Sequence, residues 1–317
     1  MAKHDELRQL IKIASLYYDE GVNQSAIAKN LNLSQSQVSR ALNRCVKEGW
    51  VKISVVQPPN IFVQIENEIQ NIFGCDQVIV VDVPDGASQD NIRTAIGSSA
   101  AHYMQTTLQA NELIGVSSWS ETIRAMVDNM HPLPGKAKGV IQILGGVGHN
   151  GNLQANLLTH SMANLLDTKS YLLPATSIER SVEDKKRNLE SPEMKEVVDK
   201  FDEVTLALVG IGSIDPSMLL RNSGNVYQEE MTNELTRRGA VGDICLHYFD
   251  SNGLPVLSEQ EDPVTAMSLS QIKRCDRVVG LAGGLDKVQA IKGALKGGYL
   301  DVLITDRITA TALLENS

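Results

Sequence analysis

The stretch Asn23–Trp50, NQSAIAKNLNLSQSQVSRALNRCVKEGW, decides the fold of the first part of this chain. Its pattern predicts a short helix over Gln24–Leu31, a tight turn at residues 32–33 and then a second helix. Ser34 is predicted as the N-cap of that second helix, because its hydroxyl can accept a hydrogen bond from a free backbone N–H of the first turn.

The two faces of the second helix differ in chemistry. Three apolar residues recur every four positions and are predicted to face the core, namely Val38, Leu42 and Val46. The opposite face carries amides and arginines, which pair with adenine, guanine or phosphate. In the helix-turn-helix pattern, a second helix of this kind enters the DNA major groove. The predicted DNA-binding residues are Ser34, Gln35, Ser36, Gln37, Ser39, Arg40, Asn43 and Arg44.

The segments on either side support this interpretation. Residues 4–20 predict an amphipathic support helix, with an apolar side made of Leu7, Leu10, Ile11, Ala14, Tyr17 and Tyr18. After Gly49, which is a helix-ending residue, residues 50–55 alternate between apolar and polar side chains. This alternation predicts a strand that completes a winged helix.

Length and charge predict two domains. A chain of 317 residues exceeds what one core usually holds. The net charge of −9 is uneven, because residues 1–57 carry eight Lys or Arg against five acids and the remainder carries −12. A basic N-terminal piece on an acidic body is typical of a DNA reader. We therefore predict a DNA-binding domain over residues 1–57 and a second domain over residues 58–317, joined at the Pro58–Pro59 pair.

The remaining global features exclude several classes of protein. The four cysteines lie far apart, so neither a zinc site nor a disulfide framework is predicted. The polar N-terminus has no apolar signal region, and no apolar run is long enough to span a bilayer. There is no Walker loop, HExxH motif or nucleophile elbow. We expect a cytoplasmic protein with no membrane partner, no metal, no cofactor and no catalytic residues.

From Val78 onward, short apolar strands alternate with helices, which predicts a largely parallel sheet covered on both faces. One strand is predicted over Ile244–Phe249, with a hairpin turn at residues 250–253. A helix is predicted within residues 61–73. This helix either packs on the body or pairs two chains, and the sequence leaves both alternatives open.

Ligands of such sheets bind beyond the carboxyl ends of the strands, so the residues that follow each strand are candidates for a binding site. Hydroxyls follow one strand and open a helix, and glycines follow three others, one with a lysine at a helix start. Any single glycine loop can be a tight turn, but four such strand ends together favour a small, anionic, hydroxylated ligand. The predicted effector-binding residues are Ser117, Ser118, Trp119, Ser120, Glu121, Thr122, Gly145, Gly146, Gln154, Asn156, Asp243, Gly283 and Lys287.

Residues 146–151, GVGHNG, match the dinucleotide-binding fingerprint. That fingerprint belongs to the first strand of its unit and needs an acid at the end of the next strand, about 20 residues on. Here Asp167 falls in or at the end of the intervening helix, and the following strand ends without an acid. The fingerprint therefore favours nicotinamide binding only weakly.

The chain resembles the SorC family of bacterial sugar-responsive transcriptional regulators over almost its whole length. The motifs that carry the resemblance are ASLYY (14–18), QVSRAL (37–42), GVSSW (115–119), LGG (144–146), ALVGIG (207–212), GAVGDIC (239–245) and AGG (282–284) with Lys287. The resemblance implies an effector domain like those of ribose-5-phosphate isomerase and glucosamine-6-phosphate deaminase, retained as a sensor. It also implies a homo-oligomer, either a dimer or a tetramer, and a phosphorylated sugar or polyol as inducer.

In relatives, the effector is surrounded by the positions that match the Ser117–Thr122 loop, the Gly145–Gly148 loop with Gln154 and Asn156, Asp243 and Lys287. Some relatives place a lysine or arginine where this chain has Leu144. This difference argues against a covalent sugar adduct and against a bisphosphate ligand.

The function predicted from the sequence is a regulator of a carbohydrate or polyol operon that binds double-stranded operator DNA under the control of a phosphorylated sugar. An alternative is a sugar-phosphate isomerase or deaminase with an attached DNA-binding domain, since Asp243, Glu121 and His149 could shuttle protons. A third is a nicotinamide-sensing repressor, which rests on the glycine loop alone.

Overall fold

The computed structural model describes residues 2–51, 58, 60–148 and 153–315 of the chain. The chain divides into two compact units, Met1–Pro58 and Pro59–Ser317. We refer to them as the DNA-binding unit and the effector unit. Among the described residues, no helix combines the length and the apolar character that crossing a bilayer requires.

The DNA-binding unit contains three described helices, α1 (Ala2–Tyr18), α2 (Gln24–Leu31) and α3 (Gln35–Lys47). The turn between α2 and α3 begins at Asn32, whose φ of 51° is left-handed and ends α2. Ser34 then caps α3, and its side chain accepts a hydrogen bond from the Gln37 N–H while the Gln37 side chain accepts one from the Ser34 N–H. The predicted helix bounds and the predicted cap are confirmed.

The core of this unit differs from the predicted one at four positions, since Leu7, Ile11, Tyr18 and Val46 are all exposed. Val46 is 41% exposed, and Cys45 is fully buried in its place. Val46 follows Val38 by eight residues, which rotate an α-helix by about 80° more than two full turns. Side chains repeated every four residues therefore move progressively off the core face. On α1, Ile11 is 43% exposed and Ile13 is buried instead. The predicted wing strand continues into residues 52–57, which lie outside the described part of the chain.

The effector unit is built on a seven-stranded parallel sheet of order β1-β9-β8-β5-β2-β3-β4. A separate antiparallel pair, β6 and β7, lies beside it. The strands are β1 Gln77–Val81, β2 Leu113–Val116, β3 Gly139–Gln142, β4 Ser170–Tyr171, β5 Leu206–Gly210, β6 Ala240–Ile244, β7 His247–Asp250, β8 Arg277–Leu281 and β9 Val302–Asp306.

Helices cover both faces of this sheet. Neighbouring strand residues enter different apolar clusters: Ile141 packs in one cluster and Val140 packs in the other, with residues of α5, α6 and α7. The helices are α4 Val63–Phe73, α5 Gln89–Thr107, α6 Glu121–Asn129, α7 Gln154–Leu165, α8 Val182–Leu189, α9 Pro192–Val198, α10 Met218–Ser223, α11 Glu229–Arg237, α12 Leu269–Ile272, α13 Val288–Lys296 and α14 Arg307–Leu314, with short 3-10 helices at Phe201–Glu203 and Leu285–Lys287. The doubly covered α/β fold predicted from the sequence is confirmed.

Helix α4 packs on the edge strand β1, which confirms the first of the two alternatives left open by the sequence. The Glu66 carboxylate accepts a hydrogen bond from the Val80 N–H at 2.9 Å, and the Gln70 side chain accepts one from the Val78 N–H at 3.1 Å. Ile69, between them, is fully buried. The free edge of β1 is therefore covered by side chains of α4, which blocks strand-to-strand association there.

The prediction of one continuous strand over Ile244–Phe249 is wrong. The chain reverses there, between β6 and β7, through Cys245 (φ 53°) and Leu246 (φ 63°). Two successive left-handed residues are typical of a tight hairpin turn that usually takes glycine or asparagine. The sequence offered neither residue, so its apolar character predicted a continuous strand. The turn predicted at residues 250–253 is present after β7, where Asp250 accepts a hydrogen bond from the Gly253 N–H at 2.9 Å.

Candidate functional site

A cavity of about 250 Å³ lies at the carboxyl ends of β2, β5 and β8, where the strand-end argument predicts a ligand. Its walls come from the loops after these strands, the β6–β7 hairpin, the start of α5 and the segment that leads into α10. The polar and charged lining residues are Gln89, Arg93, Ser117, Ser120, Glu121, Thr122, Ser213, Asp215, Ser217, Asp243, Asp286 and Lys287.

Eight of the thirteen predicted effector residues line this cavity, namely Ser117, Trp119, Ser120, Glu121, Thr122, Asp243, Gly283 and Lys287. The other five, Ser118, Gly145, Gly146, Gln154 and Asn156, lie outside its lining. Leu144, which replaces a cation of some relatives, lies in the wall and is buried. His149 falls within residues 149–152, which are outside the described residues.

The glycine loop after β3 supports the cavity from behind. The Gly145 carbonyl accepts hydrogen bonds from Trp119 Nε1 at 2.6 Å and from Ser177 Oγ at 2.9 Å. A Cβ at Gly145 would collide with the backbone of Thr176. Close backbone packing therefore accounts for a glycine at position 145, at the start of the loop that resembles a nucleotide fingerprint. The side chain of Asn156 is also engaged within the protein, because its Oδ1 accepts a hydrogen bond from Gln142 Nε2 at 3.2 Å.

The hydroxyl-rich loop after β2 places its members in different roles. Ser120 caps α6, accepting a hydrogen bond from the Ile123 N–H at 3.2 Å, and Glu121 is the first residue of that helix. Ser118 turns away from the cavity and shares a hydrogen bond of 2.8 Å with Thr159. Ser117 remains in the cavity wall and is buried. This wall offers hydroxyl groups and one carboxylate to a ligand.

Lys287 brings a positive charge into the cavity from the start of α13. Its side chain forms no hydrogen bond or ion pair with any other residue that the structure describes. Burial lowers the pKa of its ammonium group, while the carboxylates of Asp286 and Asp243 raise it. A cation held away from bonded carboxylates, at the edge of a cavity, is suited to an anionic ligand.

Asp243 faces Lys287 from β6 and is 7% exposed. Its Oδ2 accepts a hydrogen bond from the Leu246 N–H at 2.9 Å, which holds the hairpin turn. Its backbone exchanges two 3.0 Å hydrogen bonds with Gly212. Burial raises the pKa of this carboxyl to about 6, and the Leu246 N–H, Lys287 and His247 oppose that rise. Asp243 is therefore a poorly solvated acceptor for ligand hydroxyls.

This raised pKa predicts that Asp243→Asn stabilises the ligand-free protein at alkaline pH. Ionising Asp243 costs the folded state free energy, and this cost is absent below about pH 4, grows as the pH rises through 6 and is complete above about pH 7. Asparagine stays neutral and still accepts the Leu246 N–H. Urea unfolding should show a gain on the order of 2 kcal/mol at pH 8 and none at pH 4.

The exposed Asp199→Asn is the control for this measurement, since it removes a solvated carboxylate outside the cavity. An Asp243→Asn variant that is less stable than the wild type at pH 8 would show that the charge stabilises the fold.

Six polar residues of the cavity wall are absent from the predicted set, namely Gln89 and Arg93 of α5, Ser213, Asp215, Ser217 and Asp286. Arg93 forms ion pairs with Asp90 on its own helix and with Glu121 of α6, and the Gln89 side chain donates a hydrogen bond to Asp286 at 2.8 Å. A signal was available, since β1 also ends at this edge of the sheet.

The polar face of α3 forms the candidate DNA interface. Gln35, Ser36, Arg40 and Asn43 are exposed along it, and Ser39 is partly exposed. Ser34 and Gln37 also lie on this face, but their side chains form the capping box. Arg44 pairs with Glu6 of α1 at 2.6 Å, with both side chains about half exposed.

Within the described ranges, no group of His, Cys, Asp and Glu side chains is arranged to hold a metal ion. The four cysteines are free thiols. The site is therefore built from hydroxyls, carboxylates, two cations and backbone groups.

Comparison with known proteins assigns both units. A winged helix-turn-helix DNA-binding family model matches residues 13–52, and the family model "Putative sugar-binding domain" matches residues 58–315. The sorbitol operon regulator of Klebsiella pneumoniae is 29% identical over 99% of this chain and all of its own length. The deoxyribonucleoside regulator of Bacillus subtilis is 30% identical over 98% of this chain and 99% of its own.

Solved structures agree with these relatives. The full-length sorbitol operon regulator SorC of Klebsiella pneumoniae superposes with a TM-score of 0.72 at 27% identity, covering 97% of this chain and 98% of that one. A putative sugar-binding domain of the regulator DeoR from Pseudomonas syringae pv. tomato is 47% identical, with a TM-score of 0.63, and covers 80% of this chain and 98% of that one. These relatives are regulators, which confirms the non-enzymatic interpretation. The chain belongs to the SorC family of transcriptional regulators, in which a winged helix-turn-helix precedes a sugar-binding domain.

Proposed function

We propose that this protein regulates a carbohydrate or polyol catabolic operon, and that a phosphorylated sugar or polyol controls its binding to operator DNA. The observation that carries the proposal is Lys287, whose ammonium group enters a hydroxyl-lined cavity without a hydrogen-bonded carboxylate. The names of three relatives, regulators of a sorbitol operon, of deoxyribonucleosides and of erythritol catabolism, support this class of effector. Such a regulator acts in the cytoplasm, where its operator lies.

The cavity matches both parts of a sugar phosphate. Lys287 supplies the charge that a phosphate needs, and the glycine at 283 lets the backbone approach a ligand closely. Asp243 lies opposite as an acceptor for hydroxyls, and Ser117 and Thr122 add donors. A free sugar would leave the Lys287 charge unpaired in a partly dry site, which costs binding free energy. The phosphate ester is therefore favoured over the free sugar.

Control of DNA binding requires that the effector bind two states of the protein with different affinity. The DNA-binding unit carries a modest positive charge, and helix-turn-helix proteins commonly bind paired half-sites as dimers. We propose that the protein acts as a homo-oligomer, a dimer or a tetramer, whose subunit arrangement changes when the effector binds. Residues Ser34–Arg44 of the α3 face are proposed to contact the operator.

The proposal predicts that Lys287→Gln abolishes the response to phosphate esters. Because a hydrogen bond to a charged group contributes about 1.5–3 kcal/mol, we expect affinity to fall about 10- to 100-fold. The measurement is a thermal-shift titration of the full-length protein with phosphate esters of sorbitol, deoxyribose and erythritol, beside the free compounds.

Lys138→Gln is the matched control, because Lys138 is exposed and pairs with Glu203 outside the cavity. Its titration should match the wild type. Stabilisation of the wild type by a free sugar or polyol, and by none of the esters, would contradict the phosphate assignment while retaining a sugar-responsive regulator.

A further inference from the structure

Arg93 is a second cation of the cavity, and a carboxylate holds it in place. Its guanidinium pairs with Glu121 of α6 and with Asp90 one turn earlier on α5. Arg93 and Glu121 both line the cavity, and the charges of both act on Lys287. The two cations and Glu121 therefore share one electrostatic neighbourhood, where an anionic ligand would meet all three.

The ion pair lies directly in front of a rigid helix contact. Four residues after Arg93 on α5 is Gly97, and four residues after Glu121 on α6 is Ala125. A Cβ at Gly97 would come within 2.7 Å of Ala125, so the two helices touch closely there. Arg93 and Glu121 thus link the cavity ends of the same two helices, one turn ahead of a fixed contact.

Arg93 can exchange the Glu121 carboxylate for another anion at a small cost in free energy. Both side chains are about one-third exposed, so Glu121 can turn into solvent without burying a free carboxylate. Glu121 is also the first residue of α6, where the N-terminal end of the helix dipole stabilises a negative charge whether or not Arg93 is bonded. A phosphate carries up to two negative charges and accepts the two parallel N–H bonds of a guanidinium.

We propose that Glu121 is an exchangeable counter-ion of Arg93, and that the phosphate group of the effector displaces it and binds between Arg93 and Lys287. This inference rests on the proposed phosphorylated effector. Without ligand, Glu121 neutralises Arg93 and joins the cavity ends of α5 and α6. With ligand, the phosphate takes the place of Glu121, and the junction of the two helices depends on the effector. Arg93 then distinguishes phosphate esters from free sugars.

The test uses full-length variants titrated with inorganic phosphate by thermal shift at constant ionic strength. Glu121→Gln removes the competing charge and is expected to tighten phosphate binding about 3- to 10-fold. Arg93→Gln is expected to weaken it about 10- to 100-fold. In the double variant, most of the gain from Glu121→Gln should disappear, since the carboxylate competes chiefly through Arg93 and only the remainder acts through its charge on Lys287.

Glu203→Gln is the control, because it neutralises an exposed acid outside the cavity and should leave phosphate binding unchanged. If Glu121→Gln weakens phosphate binding while Lys287→Gln abolishes it, Glu121 contacts the ligand itself, and the exchange is refuted while the phosphorylated effector stands. If the wild type responds to free polyols but not to phosphate, both proposals fall. If Arg93→Gln weakens free-polyol binding as strongly as phosphate binding, Arg93 only shapes the cavity, and the exchange is likewise wrong.

Discussion

Replacing Arg40 with alanine is expected to abolish specific operator binding while leaving effector binding intact. Arg40 is exposed on the polar face of α3, and its Nε donates a hydrogen bond to the Ser36 carbonyl at 3.2 Å. This bond orients the side chain and leaves its terminal N–H groups for guanine or phosphate. A bidentate pair with a base contributes about 1–3 kcal/mol, and a dimer on two half-sites would lose it twice, so affinity should fall roughly 30- to 20,000-fold.

Fluorescence anisotropy with DNA fragments selected by the wild-type protein measures this loss, and random-sequence DNA gives the nonspecific affinity. Lys12→Ala is the control, since it removes one exposed positive charge of α1 outside the α3 face. It should change specific binding little. Unchanged operator affinity of Arg40→Ala would mean that α3 is not the recognition helix.

The second large effect is expected from Asp262→Ala, at about 3–5 kcal/mol of stability. His247 Nδ1 and Asp262 Oδ2 lie 2.5 Å apart, with only 8% and 12% of the side chains exposed. Asp262 Oδ1 also accepts a hydrogen bond from the Val264 N–H at 3.0 Å. Alanine at position 262 leaves both donors buried without this acceptor, which is the costly way to break a buried pair. Urea unfolding followed by fluorescence of the buried Trp119 measures the loss.

The pH dependence of this effect has a definite sign. Burial raises the pKa of Asp262, but the hydrogen bond and charge of His247 outweigh it and leave the pKa lowered. A lowered carboxyl pKa stabilises the fold above the ordinary value near 3.9, and this contribution is lost as the pH falls through the lowered value. The cost of Asp262→Ala should therefore be constant at neutral pH and shrink only below about pH 4.

A second substitution distinguishes loss of the His247–Asp262 hydrogen bond from a general loss of packing. Replacing both partners, as Asp262→Ala with His247→Phe, removes the unpaired imidazole and should recover part of the lost stability. A double variant less stable than Asp262→Ala alone would show that His247 stabilises the fold through contacts other than the carboxylate.

The structural features that depend on neighbouring residues were predicted correctly from the sequence. The bounds of α2 and the Ser34 N-cap of α3 follow from residues within four positions of each other, and both are present as predicted. The parallel strands followed from apolar runs of the right length. The strand-end argument placed the Ser117–Thr122 loop and Lys287 at one cavity, because parallel strands bring their carboxyl ends to one edge.

What the sequence missed depends on partners far along the chain. The Cys245–Leu246 turn has no turn-forming residues, and it is held by the Asp243 carboxylate and by pairing of β6 with Gly212. The place of Arg93 in the cavity depends on Glu121, 28 positions further on. Exposure of Val46 is the exception, because the drift of four-residue spacing around a helix is a local rule that the prediction left out.

The strand order also governs when the chain can complete its structure. β1 is an edge strand whose neighbour in the sheet is β9, and more than two hundred residues separate Val81 from Val302. During synthesis, β1 therefore waits until β9 has left the ribosome, whereas α1–α3 need no residue beyond Lys47. A premature stop codon before Val302 removes the inner strand that joins β1 to β8. Nonsense mutations between Pro59 and Val302 should consequently behave alike, losing the response to inducer completely rather than by degrees.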